Sequence, residues 1–397
     1  MAKERIGIMG GTFNPIHSGH IEMALRARDS AQLDQVLVLP SGNPPHKSGI
    51  APAEDRWRMV CAACATQRGL TPSRVELDRD GVIYTVDTLS ILRQNYPKAE
   101  LYYIIGADTL MELRHWREYE KVLKLCSFLV CPRATTWTPA EISAERARFE
   151  KLGGRFQNVR MEVINVSSTD IRASLESRAV TPLLPLPVRE YCNLIGLYGL
   201  TPRLPRAESW LPKLFEALSA KRFAHSLAVA YTARHLARTH GLDAAKAETA
   251  GILHDCAKCL PLKTMQALAD ELRVTDDPSL RETDRLLHAL VGAALAKRDY
   301  GVDDPEILAA IFHHTTGAPG MSPLAMAVYL ADKIEPTRPS YPELDRVRML
   351  AEFSLEKAMI ASLESTAAYV RKGGKALHPA TMRTLAWLKE QEATGHP

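Results

Sequence analysis

The sequence predicts two domains, an α/β domain built on a parallel sheet followed by an all-helical bundle. Three observations carry this. The chain has 397 residues, more than one ordinary hydrophobic core organises. Its first half alternates short apolar runs with amphipathic stretches, the pattern of a parallel sheet covered by helices. Near residue 200 the short runs stop, and apolar residues recur at three- and four-residue spacing from there on.

In the first half, "RIGIMGG" (5–11), "VLVLPSG" (36–42), "LYYIIGA" (101–107), "FLVCPR" (128–133) and "MEVINVSS" (161–168) read as strands. Helices are expected between them at 17–28, 54–67, 86–95 and 139–152. The Pro- and Gly-punctuated stretch "GLYGLTPRLPRAESW" supplies a linker at 201–212, between a first domain at 1–200 and a second at 213–397. Beyond it, "FAHSLAVAYTARHLARTHG", "AAKAETAGILHD", "LLHALVGAALAKRDYG", "PEILAAIFHH", "LAMAVYLADKIE" and "FSLEKAMIASLESTAAYVRKG" all carry helical periodicity, several closed by Gly.

Composition narrows the class. Apolar residues make up 46% and charged residues 24% of the chain, as in ordinary globular enzymes. A net charge of +4 gives neither half the electrostatic footprint of a nucleic-acid or membrane binder. No apolar run approaches the roughly 18 residues of a membrane span, and "MAKERIGIMGG" lacks a signal-peptide core. A cytoplasmic location is expected. Seven cysteines, an odd number in a long chain, argue against a disulfide framework. The pairs Cys61/Cys64 and Cys256/Cys259 fall inside helical patterns and read as small buried residues.

The first candidate site opens at the first strand–helix junction, "GIMGGTFNPIHSGH". Gly10 and Gly11 allow a tight turn and close approach to a ligand. Asn14 is a plausible helix N-cap, with Pro15 just inside. His17 and His20, three apart, share a face of the first turn. A helix N-terminus flanked by two imidazoles is an anion site. Neither the GxGxxG dinucleotide fingerprint nor a GxxxxGK[ST] P-loop is present.

The string "GTFNPIHSGH", comprising Thr12, Phe13 and Asn14 with the two histidines, resembles the signature of the nucleotidylyltransferase superfamily, which has a Rossmann-like fold. With "PPHK", "YTVDTL", "GADTLMELRHWREYE", "VCPR" and "VSSTDIR", residues 5–196 look like a bacterial nicotinate mononucleotide adenylyltransferase. Phosphopantetheine adenylyltransferases share only the first string. The resemblance implies that His17, His20 and Lys47 stabilise phosphate charge, with Mg²⁺ arriving on ATP. Gly106, Asp108 and Arg133 would lie at the ligand-binding ends of strands. Ser167, Ser168 and Thr169 would open another helix, with Arg172 reaching phosphate. Thr85, Asp87 and Trp116 would hold the acceptor mononucleotide, Trp116 offering a face to a pyridine ring.

The second candidate site rests on "LHDCAK". Read as neighbours on a helix, His254 and Asp255 point about 100° apart and straddle one face. His225 lies on an upstream amphipathic helix, and Asp332 on a downstream one where an unpaired carboxylate would be costly to bury. His288 and the pair His313–His314 come between them. Imidazoles and carboxylates on facing helices are how bundles hold metals.

This ordered set resembles the HD superfamily of metal-dependent phosphohydrolases. "RFAH", "HDCAK", "HALVGA", "HHTTGAPGM" and "ADKIEPTR" look like the HD-type diadenosine tetraphosphate hydrolases over residues 213–390. That family cleaves its substrate symmetrically to two ADP and is associated with iron. By resemblance His225, His254, Asp255 and Asp332 would be metal ligands, for Fe²⁺/Fe³⁺ or Mn²⁺, with Asp255 counted as catalytic. Arg222, Lys258, His288, His314, Thr315 and Arg338 would contact phosphates or nucleotide, Lys258 sharing a helix face with Asp255. His288 or His314 could equally be a proton shuttle or a second-metal ligand. His313 stands where the family has an aromatic residue, and His235 and His240 fall outside the constellation as surface residues. Cyclic-dinucleotide phosphodiesterases of the HD-GYP type are disfavoured because no GYP follows.

The expectation is a bifunctional enzyme using ATP, nicotinate mononucleotide, diadenosine tetraphosphate and ADP, with no nucleic-acid or membrane partner and homo-oligomerisation left open. The competing reading makes the helical half a nucleotide-sensing regulatory module.

Overall fold

A computed structural model describes residues 3–42, 49–133, 135–164, 166–177, 183–374 and 377–394. The chain divides into two compact units, Met1–Thr201 and Pro202–Pro397.

The first unit is a six-stranded parallel sheet in the order β3-β2-β1-β4-β5-β6. The strands are β1 (Arg5–Gly11), β2 (Gln35–Pro40), β3 (Leu70–Pro72), β4 (Glu100–Gly106), β5 (Ser127–Cys131) and β6 (Phe156–Asn158). The helices are α1 (Ser18–Ser30), α2 (Ala53–Cys64), α3 (Thr85–Asn95), α4 (Ala107–Glu112), α5 (Tyr119–Leu125), α6 (Pro139–Lys151), α7 (Ser168–Glu176) and α8 (Leu186–Ile195). Ile6, Ile8, Leu37, Leu39, Leu101, Ile105 and Phe128 are buried in one core with Leu89 and Leu110 of the covering helices. The strand order reverses between β1 and β4, and open α/β sheets bind ligands at such a crevice.

Two expectations about strands are corrected. "MEVINVSS" is not a strand among its described residues: the sheet's last strand is the three-residue β6, nearer the chain start. Of its apolar residues Val166 is buried, whereas Val163 is half exposed. Val166 fills the space above Gly19, where a Cβ would stand 2.6 Å from Val166 Cγ1. The short edge strand β3 has no alternating pattern and was not expected from the sequence.

The second unit is all-helical: α9 (Ala207–Ala217), α10 (Ala220–Thr239), α11 (Ala244–Leu253), α12 (Leu262–Glu271), α13 (Pro278–Arg281), α14 (Asp284–Tyr300), α15 (Pro305–His313), α16 (Pro323–Ile334), α17 (Pro342–Ala351), α18 (Leu355–Lys372) and α19 (Pro379–Thr394). Local chemistry sets many ends. Asp304 and Ser322 cap α15 and α16, each followed by Pro at the first helical position. Gly301, at φ +63°, closes α14 in the left-handed region. The helices α10 and α11 approach so closely that a Cβ on Gly251 would lie 2.9 Å from Ala230 Cα. The expected linker is structured over its second half: α9 begins at Ala207, with Trp210 and Leu211 buried and Trp210 Nε1 donating to Tyr300 O at 2.9 Å. No helix among the described residues is long and apolar enough to cross a membrane.

Candidate active sites

In the first unit the loop after β1 turns back over the sheet and delivers the two histidines. His17 is the N-cap of α1, in extended conformation, and its backbone N–H donates to His20 Nδ1 at 3.2 Å. The rings stack with centroids 3.6 Å apart. Asn14 therefore does not cap α1, contrary to expectation. Its side chain is committed elsewhere: Oδ1 accepts from Ala51 N and Tyr198 Oη, both at 3.0 Å, and Nδ2 donates to Gly49 O at 3.3 Å. Those bonds fasten the loop instead. Phe13, buried with φ +46°, turns the chain and meets the His20 ring edge-on at 5.0 Å.

The helix α7 is pinned against this loop. Ser167 caps it, its Oγ accepting from Asp170 N at 3.1 Å, and Ser168 Oγ donates to Pro15 O at 3.0 Å. Arg172, expected at phosphate, has its guanidinium within the protein, donating to Asn14 O at 2.8 Å and Thr169 Oγ1 at 3.1 Å. The structure thus sets the N-termini of α1 and α7 side by side, with Gly19 required where α1 passes Val166. Two helix N-termini and two imidazoles thus lie close together, an arrangement that favours an anion.

The electrostatics of the histidine pair follow from burial. His17 is 3% exposed and neither ring nitrogen has a hydrogen-bond partner. Burial first, and the Arg133 guanidinium second, bring its pKa down to about 4. Burial, His17 and Arg133 hold His20 well below its ordinary value. His17 is accordingly a neutral imidazole with one buried, unpartnered N–H, a donor waiting for an acceptor.

Arg133, at the end of β5, stands 3.6 Å (Nε) from Asp108 Oδ2, and Asp108 Oδ1 is buried without a partner. Gly106 ends β4 beside them, where a Cβ would collide with Asp108 Oδ1. Tyr103, which the sequence reading did not single out, ties several expected residues together. Its hydroxyl sits 2.6 Å from where a Gly10 Cβ would be, it bonds the Thr85 side chain, and its ring meets Trp116 edge-on at 5.7 Å. Thr85 and Asp87 occupy the first turn of α3. Gly11 passes under the Phe13 ring, at 3.0 Å from a notional Cβ. Arg56, fully buried, was also missed. It donates to the carbonyls of Thr12, Ser41, Gly42 and Ala51 at 2.7–3.1 Å, tying these backbone segments together. Lys47 lies outside the described residues.

The second unit assembles its site from five segments. His225 projects from α10, His288 from α14 and Asp332 from α16. His254 and Asp255 do not ride on a helix as expected: α11 ends at Leu253 and the pair begins a run of turns reaching Cys259. Lys258 lies in that run too, so it shares no helix face with Asp255; its N–H donates to Asp255 O at 2.8 Å. His314 likewise follows the end of α15. Helix ends suit the task because residues there are free of the 100° spacing and can converge.

The convergence is specific in its protons. The Nδ1 atoms of His254, His288 and His314 each face a backbone carbonyl, Gly251 O at 2.7 Å, Asp284 O at 2.8 Å and Ile311 O at 2.7 Å. A carbonyl only accepts, so Nδ1 carries the proton and Nε2 presents a lone pair. Those lone pairs point at one another: His288 Nε2 and His314 Nε2 are 3.1 Å apart. Asp255 Oδ1 is 3.1 Å from the first and 3.7 Å from the second, and Oδ2 is 3.5 Å from His254 Nε2. His254 is fully buried and its Nε2 has no hydrogen-bond partner. Acceptors packed this closely in a buried site call for a cation. Two sets, His225–His254–Asp332 and His254–Asp255–His314, place their donor atoms within 4.8 Å of one another, as a metal requires. The residues present fit a metal of the imidazole–carboxylate class.

His225 is held differently. Its Nε2 lies 3.0 Å from Asp332 Oδ1 and its Nδ1 3.2 Å from Glu335 Oε1. Burial works against its charge, but the two carboxylates outweigh it and raise the pKa. Glu335, 2% exposed, also accepts from Thr337 N and Oγ1, and was not foreseen: nothing in "ADKIEPTR" marks the glutamate apart from its nearness to Asp332.

Asp255, His288, His314 and Asp332 line a cleft of about 660 Å³. Its cations are Arg222, Lys258, Arg285, Lys333 and Arg338. Arg222 Nη1 meets Asp255 Oδ2 at 3.1 Å, while Lys333 Nζ and Arg338 Nη2 bracket Asp332 at 2.8 and 3.1 Å. Thr315 lines the cleft with its hydroxyl unpartnered. His313 neither lines it nor joins the metal sets. His235 is exposed and pairs with Glu352; His240 is half-buried, bonded to Ala351 O at 2.7 Å. Cys61, Cys64 and Cys256 are buried free thiols, whereas Cys259 is exposed.

The cytidylyltransferase-like family matches residues 8–174, and the HD-domain family, whose members are metal-dependent, matches residues 222–337. A Mycoplasma genitalium protein named "probable nicotinate-nucleotide adenylyltransferase/Ap4A hydrolase" is 30% identical over 370 residues, covering 91% of this chain and 97% of that one. Its Mycoplasma pneumoniae counterpart, of the same name, is 31% identical over 83% of this chain and 88% of its own. A Desulfitobacterium hafniense protein named "probable nicotinate-nucleotide adenylyltransferase" is 40% identical over 201 residues, 50% of this chain and 97% of its own. One relative thus stops where the first unit stops, and two continue through both. With a histidine pair beside two helix N-termini on a parallel sheet, and His/Asp groups that could hold a metal in a helical bundle, the chain belongs to the family of fused nicotinate-nucleotide adenylyltransferase/Ap4A hydrolases.

Proposed function

We propose that the first unit transfers adenylyl from ATP to nicotinate mononucleotide, releasing pyrophosphate, and that the second hydrolyses diadenosine tetraphosphate to two ADP. The names of the relatives support both activities.

In the first reaction an acceptor phosphate oxygen attacks the α-phosphorus of ATP and the bond to the bridging oxygen breaks. The protein's part is positioning and charge stabilisation. The observation that carries this is the buried, unpartnered His17 ring. As a neutral donor between the N-termini of α1 and α7, it meets phosphate oxygens without first shedding a proton. His20 is set by its bond to His17 N, and Lys47 adds a cation. Arg133 and Asp108 form the far edge, Mg²⁺ accompanies ATP, and Trp116 with the first turn of α3 (Thr85, Asp87) takes the acceptor. Arg172 acts by fixing Asn14 and Thr169, with phosphate as a further partner. A His17→Ala variant is expected to lose dinucleotide synthesis; unchanged synthesis would overturn the assignment.

In the second reaction His225, His254, Asp255 and Asp332 would hold a metal, iron or manganese, which would supply acidification of a water and polarisation of a phosphoryl oxygen. The carrying observation is the set of three imidazoles with Nδ1 protons committed to carbonyls. Arg222, Lys258, Lys333 and Arg338 neutralise the phosphate chain, with Thr315 as a neutral donor. His288, whose Nε2 lone pair lies 3.2 Å from Lys258 Nζ, is placed to take a proton from that ammonium and pass it to the leaving phosphate. Chromatography of diadenosine tetraphosphate incubated with protein and Fe²⁺ or Mn²⁺ should show ADP alone, absent with Asp255→Ala. AMP with ATP would overturn the symmetric cut, and no turnover with either metal would overturn the activity.

A further inference from the structure

The cleft of the second unit is divided by chemistry. One part of its lining, the floor, carries Asp255, His288, His314 and Asp332 with all five cations. Its other wall is neutral: Thr366, Tyr369 and Val370 from α18, and Leu377, His378 and Thr381 around the start of α19. Residues 366, 369 and 370 share one helix face by their spacing. Elsewhere along α18, Met359, Leu363 and Ala367 are buried in the bundle. Tyr369, by contrast, is 80% exposed although it borders the cleft.

His378 beside it is already fixed at both ring nitrogens. Its Nδ1 accepts from Ala380 N at 3.2 Å and its Nε2 bonds Ser279 Oγ at 3.0 Å. That ring edge has no bond left to give, so the wall offers ring faces, methyls and a phenol, and no charge.

We propose that Tyr369 seats a purine base of the substrate, stacking on it while the phosphate chain runs across to the cations. The inference rests on the hydrolase reading of this unit. A phosphate chain capped by a nucleoside needs both halves of such a cleft; a bare polyphosphate needs only the floor. A large exposed aromatic at the edge of an ionic cleft gains most from a flat, π-faced ligand that keeps its own edge in water. The cleft volume is in the range of small-molecule sites. Tyr369 therefore makes the site selective for nucleotides over inorganic polyphosphate.

The test is equilibrium dialysis of the Mn²⁺-loaded full chain with ADP and with inorganic pyrophosphate, for wild type, Tyr369→Ala and Tyr369→Phe. The expected result is that Tyr369→Ala weakens ADP by about tenfold, as loss of one base–aromatic stack does, leaves pyrophosphate within twofold, and that Tyr369→Phe binds both as wild type does. Equal losses for both ligands, no loss for ADP, or no preference of the wild type for ADP over pyrophosphate would each overturn the proposal. Turnover of diadenosine tetraphosphate by the same samples separates the two readings. A Tyr369-dependent ADP preference without turnover would keep the base seat and sink the hydrolase, and turnover with unaltered ADP binding in Tyr369→Ala would do the reverse.

Discussion

Glu335 gives a sharp test of how the second site is held. Its carboxylate touches no substrate-facing surface; it is 2% exposed and accepts from His225 Nδ1 at 3.2 Å and from Thr337 N and Oγ1 at 2.6 and 2.7 Å. Glu335→Gln keeps the side chain's size and one oxygen for Thr337 but removes the negative charge facing the imidazole. His225 then loses the partner that fixes its orientation and raises its basicity. Losing such an outer partner costs metal sites ~10–100-fold in affinity, or roughly 1.4–2.7 kcal/mol. The fold should tolerate the change, because the charge being removed is repaid mainly by His225 and by an Arg338 contact as long as 3.8 Å. Metal affinity would be read by competition with a chromophoric chelator, and the fold by circular dichroism. An unchanged metal dissociation constant in a folded Glu335→Gln protein would refute the argument that His225 is a ligand positioned through Nδ1.

Three further outcomes follow from the same structure. His17 has a folded pKa of about 4 against about 6.5 in the unfolded chain. The unfolded state binds the extra proton between those values, so its stabilising contribution is complete above pH 6.5 and lost as pH falls to 4, on the order of 3 kcal/mol at most; denaturant melts of His17→Gln should be flatter over that window, and identical profiles would count against a buried neutral ring. Gly251→Ala puts a Cβ 2.9 Å from Ala230 Cα and should destabilise the second unit by ~1–3 kcal/mol through forced separation of α10 and α11, measured in urea, with metal content falling alongside. Dialysis against a chelator followed by Mg²⁺ alone should restore dinucleotide synthesis but not diadenosine tetraphosphate hydrolysis, assayed in one sample; recovery of both would argue against a transition-metal centre.

What the sequence made legible was whatever local spacing encodes. The strand–loop–helix string at 5–20, the capping Ser167, and the helices of the second half all rest on neighbours within one turn, so their positions were readable. So was the order of metal-ligand types along the second half. Residues whose roles depend on distant partners were not readable. Arg56 lies within an ordinary amphipathic helix, and only the fold brings four carbonyls to its guanidinium. Tyr103 alternates correctly for a strand, and only the register of β4 beside β1 sets its hydroxyl against Gly10. Asn14 looked like a cap because Asn before Pro often is one, but three tertiary bonds to Ala51, Gly49 and Tyr198 outcompete a local one. "MEVINVSS" has a strand's composition, yet β5 is already paired with β6, and Val166 finds burial without a ladder while Val163 stays half exposed.

The two sites use the same residue type in opposite senses, and the difference lies in where each ring's proton goes. In the first unit burial and Arg133 keep His17 neutral, and neither of its nitrogens is bonded within the protein. An N–H is left over, and it can serve an acceptor such as a phosphate oxygen. In the second unit the Nδ1 protons of His254, His288 and His314 are taken by carbonyls one turn back in the chain. The lone pairs are left over, so those rings can serve only a cation. Neither outcome follows from the pattern HxGH or HD by itself. It follows from whether the backbone beside each histidine presents a carbonyl to Nδ1: at a helix start, as for His17, the local backbone offers N–H groups, and at a helix end, as for His254 and His314, it offers C=O groups. The donor face at His17 and the bare Nε2 at His254 and His314 are then two consequences of one backbone polarity, while His288, within α14, reaches the carbonyl of Asp284 one turn back.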